Sequence, residues 1–310
     1  MKGRDRTLTF PERIQRWITE PPPDHVFEIT ETSLAAVSPR SPGQHQQEIL
    51  SERALMPSPA APNLLKPQLY REALAKFSTA AALKRRAAAL VIPDYAARMA
   101  ILDFEEFPQG EEERAALIRF RLRKTVPFHI DEAQLSYAIQ VNDPKRVEVL
   151  AVAIARPILD EYEGIFTDAG YRLGLVTPSC LATLRLCGSD NKALTLLAKA
   201  AGSNLSVLLL EQDRVRLVRS LDLTGSDGET LEREEHTVLP LLQQTLAYAE
   251  DQVGQPVGRL LLCGFGTAAE RLGAVTQREF GVPYALVRSK FGAASQQNAG
   301  LLGLLEQYAA

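Results

Sequence analysis

The sequence predicts an α/β fold built from two related halves, and two observations carry that prediction. Strand-like and helix-like segments alternate along most of the chain. Each half also opens on paired strands that read as a hairpin before helices enter, at 26–37 in the first half and at 194–223 in the second. The 310 residues suffice for two domains with separate cores, and 45% hydrophobic with 24% charged residues is globular composition.

The elements follow in order. Residues 1–23 read as an N-terminal arm, with Ile14, Trp17 and Ile18 at helical spacing before Pro21-Pro22-Pro23 stops a helix. Residues 24–37 form the first hairpin, and 38–66, rich in Pro, Ser and Gln, form a loop with one strand at 48–54. A helix is expected over 67–83, then strands over 87–93 and 97–104. The helix from 111 to 124 starts on three glutamates and ends on Arg and Lys, which suits the helix dipole, and those glutamates read as a solvated first turn. Two strands, 134–141 and 146–155, flank the turn Asn142-Asp143-Pro144. A helix over 157–169 ends at Gly170, followed by a strand at 173–176 and a helix at 178–187. The second half reads as strands 194–198, 203–210 and 215–223, a helix 230–253, a strand 259–263, a helix 267–280, a strand 284–287 and a last helix 296–308. Gln212-Asp213 is the turn between its second and third strands.

Composition removes several function classes. A net charge of −3 offers no basic field to nucleic acid. Cys180, Cys187 and Cys263 form no C-x-x-C pair, so reduced thiols are expected and a zinc site is not. His25, His45, His129 and His236 lack metal-ligand spacing. No run of about 18 apolar residues predicts a membrane span, and MKGRDRTLTF has no signal core, so the expected location is cytoplasmic.

The chemistry concentrates in the two hairpins. A phosphate grip needs inward-turned N–H groups and a glycine that permits close approach. The first hairpin turns on Thr30 and Glu31, without glycine, and a carboxylate beside a phosphate oxygen costs on the order of 1 kcal/mol even where water screens it. The second hairpin turns on Gly202 and Ser203, with no acid to organise Mg²⁺, and Lys199 before it reads as a solvated lysine. The run Cys263–Ala269 fits G-x-G-x-x-A, followed by Arg288 and Lys290, which is similar to a dinucleotide fingerprint. Only about 20 residues remain after Lys290, too few for a βαβαβ domain. Strand-to-helix packing or an adenosine-side loop is the favoured reading of Gly264 and Gly266. Ser179-Cys180 reads as a helix cap, and Asp160, Glu161 and Glu163 as a solvated helix face. No catalytic residue is assigned.

Three passages carry a resemblance. Glu28–Val37 is similar to D-I-G-S-S-S-V-K-x-V. Ala89–Asp94, through the charged helix that closes on Pro127-Phe128, is similar to a strand ending in Pro-Asp followed by a helix ending in Pro-Phe. Asn204–Val207 through Arg219–Leu223 matches the second hairpin. In these the chain resembles the PilM family of type IV pilus assembly proteins, which have an actin-like (ribonuclease H-like) fold and are related to FtsA. The resemblance runs from about 24 to 308.

It implies a first domain of 24–88 and 156–190, an inserted small α/β subdomain at 89–155, a second domain at 191–295, and a terminal helix, 296–310, returning to the first domain. It implies a nucleotide site at Glu28, Thr30, Ser33, Gly202, Ser203, Gly264 and Gly266. That site is altered, with Glu28 for the family aspartate, Thr30 for its glycine and Ala35 for its lysine, and the second loop lacks its aspartate. ATP and Mg²⁺ are the implied cofactors, and these changes predict their loss and a pseudo-ATPase.

The implied partner is the N-terminal peptide of a PilN-like inner-membrane protein, in a groove beside the insert with Pro127 and Phe128 as candidates. The pilus motor ATPase is a second implied partner, and the implied place is the inner face of the cytoplasmic membrane. Two other readings stand beside this one: an active Mg-dependent ATPase of the actin and sugar-kinase fold, and an FtsA-like filament-forming protein.

Overall fold

In the computed structural model, residues 22–77, 86–188, 193–223 and 235–308 are described. The expectations for Trp17 and the N-terminal arm, for the end of the helix over 67–83 and for the start of the helix at 230 lie outside these residues.

The first half is a five-stranded sheet in the order β3-β2-β1-β4-β8. Strands β1 (His25–Ile29) and β2 (Ser33–Val37) form the predicted antiparallel hairpin, with Glu28 opposite Ala35. β3 (Gln46–Ile49) lies earlier than the strand expected at 48–54, because Ser33–Ala36 of β2 pair with Ile49–Gln46. β4 (Arg86–Ile92) and β8 (Tyr171–Pro178) run parallel to β1. β4 therefore belongs to this central sheet, and the insert begins after it, not at residue 89.

These strands are apolar on both sides, and the pleat separates two cores. Phe27, Ile29, Leu34, Leu90 and Ile92 face α1 (Pro67–Phe77) and α3 (Arg156–Asp168). Val26, Ala35, Val37, Ala89 and Val91 face the last helix, α7 (Ala299–Tyr308). The expected return of the chain to the first half is thus present. α3 stops at Gly170, whose φ of +80° fits the predicted cap.

The insert is a separate antiparallel sheet, β5-β7-β6, of β5 (Arg98–Phe104), β6 (Gln134–Asp143) and β7 (Arg146–Ile154). Ile118 and Leu122 of α2 (Glu111–Leu122) fill its core beside Val149 and Ala151.

The second half repeats the plan as β11-β10-β9-β12-β13. β9 (Leu194–Ala201), β10 (Asn204–Glu211) and β11 (Arg214–Asp222) are the antiparallel opening, turning at Gln212 with a φ of +53°. β12 (Val257–Cys263) and β13 (Tyr284–Leu286) add in parallel. α5 (Glu235–Tyr248) and α6 (Ala269–Phe280) cover one face. A short α4 (Ser179–Thr183) leads from β8 toward this half, and β14 (Arg288–Ser289) and β15 (Gly292–Ala293) form a small hairpin before α7. Among the described residues, no helix is long and apolar enough to cross a membrane.

Candidate functional site

The two opening hairpins meet where Glu31 of the first reaches Ser203 of the second. Glu28 on β1 is buried, and both its oxygens are used by the chain itself. Oε1 accepts from Ser179 Oγ at 2.5 Å and Oε2 accepts the Leu301 N–H at 2.8 Å. Leu301 lies in the first turn of α7, where unpaired N–H groups and the helix dipole favour an anion. Gly300 makes the approach possible: a Cβ there would lie 2.5 Å from Val91 Cγ1 and 2.7 Å from Ser179 Oγ. Burial pushes the Glu28 carboxyl above its usual range, against the lowering pull of Lys199 and of these donors. Ser179, expected to cap its helix, serves Glu28 instead.

The first turn is closed on itself. The Thr30 N–H donates to Ser33 O at 3.0 Å, the two hydroxyls share a 2.7 Å bond, and Tyr70 Oη donates to Thr30 O at 2.5 Å. Glu31 leaves this turn toward the second half, where its Oε1 accepts from the N–H of Ser203 at 3.3 Å and from its Oγ at 3.2 Å.

Lys199 departs from its expected solvated position. It is 1% exposed and pairs at 3.3 Å with Asp94, which is 3% exposed. Asp94 also accepts the Cys180 N–H at 2.6 Å and the Ser206 hydroxyl at 2.7 Å. Burial opposes the lysine's charge, but Asp94 and then Glu28 overcome it and hold the ammonium above the usual lysine range. The sequence signal was available: Lys199 interrupts a stretch otherwise apolar from Leu196 to Ala201, a place where a lysine survives only with a buried partner.

Gly264 and Gly266 have φ of +80° and +51°. A Cβ on Gly264 would lie 2.1 Å from Ala200 O, so its close approach is to the neighbouring backbone, as the packing reading expects. Among the described residues, no group of three His, Cys, Asp or Glu has the proximity to hold a metal. Glu161 is not merely solvated: its carboxylate accepts the N–H groups of Asn63 and Leu64 at 2.8 and 3.0 Å.

A second feature lies on the far side of the first sheet. β8 is the last strand of its sheet and β6 the last of the insert's, and residues of both line a common cavity of about 450 Å³. Tyr137 and Ala138 from β6, Leu150 and Val152 from β7, and Leu173 and Leu175 from β8 give it apolar walls. Arg156 and Glu163 of α3 line it too, paired with each other at 3.0 Å, as does Arg185 beyond α4. Pro127 and Phe128 do not line this cavity. Pro127 is exposed, and Phe128 packs against the cores of both the first half and the insert.

Among solved structures, the chain is similar to one described as a PilM–PilN type IV pilus biogenesis complex. The TM-score is 0.72 at 17% identity, covering 94% of this chain and 100% of that one. The chain has the PilM-like, actin-like fold. A Bacteroides thetaiotaomicron protein with an actin-like ATPase fold and unknown function is similar to this actin-like chain at a TM-score of 0.53 and 12% identity, over 94% of this chain and 98% of that one. The cytoplasmic domain of EpsL, an inner-membrane component of the type II secretion system of Vibrio cholerae, gives 0.48 at 11% identity, over 91% and 94%. No protein-family model and no curated protein matches the sequence.

Proposed function

We propose that this actin-like chain is a cytoplasmic adaptor of type IV pilus assembly. It binds the N-terminal peptide of a PilN-like inner-membrane protein and turns over little or no nucleotide. The observation that carries the reading is the cavity lined by residues of β6 and β8, the terminal strands of their sheets. An edge strand presents unpaired N–H and C=O groups, and an extended peptide satisfies them by adding a strand while its side chains enter apolar pockets. The cavity is lined by Leu173 and Leu175 of one terminal strand and by Tyr137 and Ala138 of the other. Its place beside the insert fits the resemblance to a protein solved as a PilM–PilN complex. Through this partner the chain would lie at the inner face of the membrane, with the pilus motor as a second contact.

The nucleotide site supports the silent half of the reading. Each Glu28 oxygen already accepts a hydrogen bond from the chain itself, and the first turn uses its own hydroxyls to close. The competing reading, an active Mg-dependent ATPase, has the actin-like fold in its favour, but it needs Glu28 and Glu31 to abandon these partners.

The test is peptide binding by fluorescence anisotropy with wild type, Leu175→Arg and Ala138→Arg. Each arginine would place a charge in the apolar cavity, and a loss of at least tenfold in affinity, about 1.4 kcal/mol, is expected from each. Unchanged affinity in both variants would remove the cavity from the partner site.

A further inference from the structure

Glu31 stands at a place where a nucleotide-binding relative of this fold would need an empty turn. Its Oε1 is within 3.3 Å of the Ser203 N–H and 3.2 Å of the Ser203 hydroxyl, while its Oε2 pairs with Arg53 Nε at 2.9 Å. Arg53 also reaches Ser203 Oγ at 3.5 Å. The segment that carries Arg53 is fixed to the same turn, because the N–H groups of Leu50 and Ala54 donate to Thr32 O and Glu31 O, each at 2.8 Å.

The second turn is shaped around this carboxylate. Gly202 has a φ of +57°, and a Cβ on it would lie 2.3 Å from Glu31 Oε1. A backbone N–H and a hydroxyl on a glycine-containing turn make the kind of donor set that holds an anionic oxygen. The Gly202 N–H is itself taken by Gln296 Oε1 at 3.2 Å.

We propose that Glu31 is a built-in anion: it fills the anion-holding turn of the second half and latches the two halves together without a ligand. The latch has a cation on its outer side, Arg53, which pairs with the carboxylate oxygen that the turn does not use. Both ends of the contact have the shape it requires, a carboxylate in a turn where phosphate-gripping proteins place glycine, and a glycine across from it with no room for a side chain. The consequence is that a free phosphate competes with part of the chain and not with water. The proposal extends the reading of a silent nucleotide site. Its test uses no nucleotide and no peptide, so it stands or fails apart from the partner reading.

The experiment is hydrogen–deuterium exchange on the full chain as wild type, Glu31→Ala and Glu31→Gln, each with and without inorganic phosphate. Removing a charged acceptor from a half-buried N–H is expected to raise exchange at the Ser203 amide about tenfold or more in Glu31→Ala, with β4 unchanged. Glu31→Gln keeps the shape and gives a smaller rise. Phosphate is expected to restore protection at 202–204 in Glu31→Ala and to do nothing in wild type. Unchanged exchange at this turn in Glu31→Ala overturns the proposal. So does phosphate protection in wild type equal to that in the variant, or a rise spread evenly over β4 and β12 in both variants.

Discussion

Replacing Lys199 with methionine isolates the buried charge pair that joins the halves. The ammonium lies 3.3 Å from Asp94 Oδ2, and both side chains are almost fully enclosed. At an effective dielectric of about 20 the attraction at that separation is roughly 5 kcal/mol. Methionine recovers the apolar part of the lysine stem and removes its desolvation cost, but it leaves Asp94 with neutral donors such as the Cys180 N–H and the Ser206 hydroxyl, and Glu28 without its nearby cation. Breaking a buried pair on one side costs about 3–5 kcal/mol. At about 2–4 °C per kcal/mol for a large domain, the thermal midpoint should fall by roughly 10 °C.

The pH dependence gives a second handle on the same variant. With Lys199 gone, the already raised Glu28 carboxyl rises further and takes up a proton more readily in the folded state. The deficit should therefore be smaller at pH 5 than at pH 8. Adding Asp94→Asn to Lys199→Met should recover part of the loss, since the amide oxygen still accepts from Cys180. Thermal unfolding followed by circular dichroism at the two pH values measures all three. A loss below about 1 kcal/mol, or one equal at both pH values, would refute the account of this pair as a charge-compensated lock.

Three further outcomes follow from single residues. Gly264→Ala should cost about 2 kcal/mol or more, through a strained φ and a Cβ driven into Ala200 O, whereas Gly170→Ala, with open space around it, should cost about 1 kcal/mol; chemical denaturation compares them. Glu28→Gln should change the slope of stability with pH. The folded Glu28 binds its proton more tightly than the unfolded one, so it subtracts stability as pH rises above its ordinary value of 4.5; the variant should gain on wild type across that window, read from denaturation curves between pH 4 and pH 8. Tyr70→Phe should lose about 1 kcal/mol by leaving the Thr30 carbonyl without its donor, measured in the same way.

Much of the fold was legible in the sequence because local signals agreed with it. Apolar runs marked β4, β9 and β10, Gly170 marked a boundary, and Gln212-Asp213 marked a hairpin turn that the structure contains. The two opening hairpins located the candidate site. What could not be read were contacts that span the chain. Glu31 meets Ser203 because the two halves pack together, Glu28 meets Leu301 because the last helix packs on the first sheet, and no spacing rule links such positions.

Lys199 was misread because a lone lysine is usually solvated. Its flanking leucines and alanines were the contrary signal, and burial decided between them. The cavity was missed for a related reason. Its walls come from strands of two different sheets and the helices beside them, and that juxtaposition is a property of topology, not of any one strand's residues. Phe128 was a reasonable candidate by type and neighbourhood, yet it serves the packing of the insert against the first half.

The central claim, an actin-like adaptor that works through a peptide site and not through nucleotide, is tested most directly by one calorimetric titration. A PilN-like N-terminal peptide is titrated into the full chain, with and without Mg·ATP in the cell. The account predicts saturable peptide binding with the same affinity in both conditions and no heat from Mg·ATP alone. Absence of peptide binding at high concentration, or an affinity that depends on Mg·ATP, would contradict it.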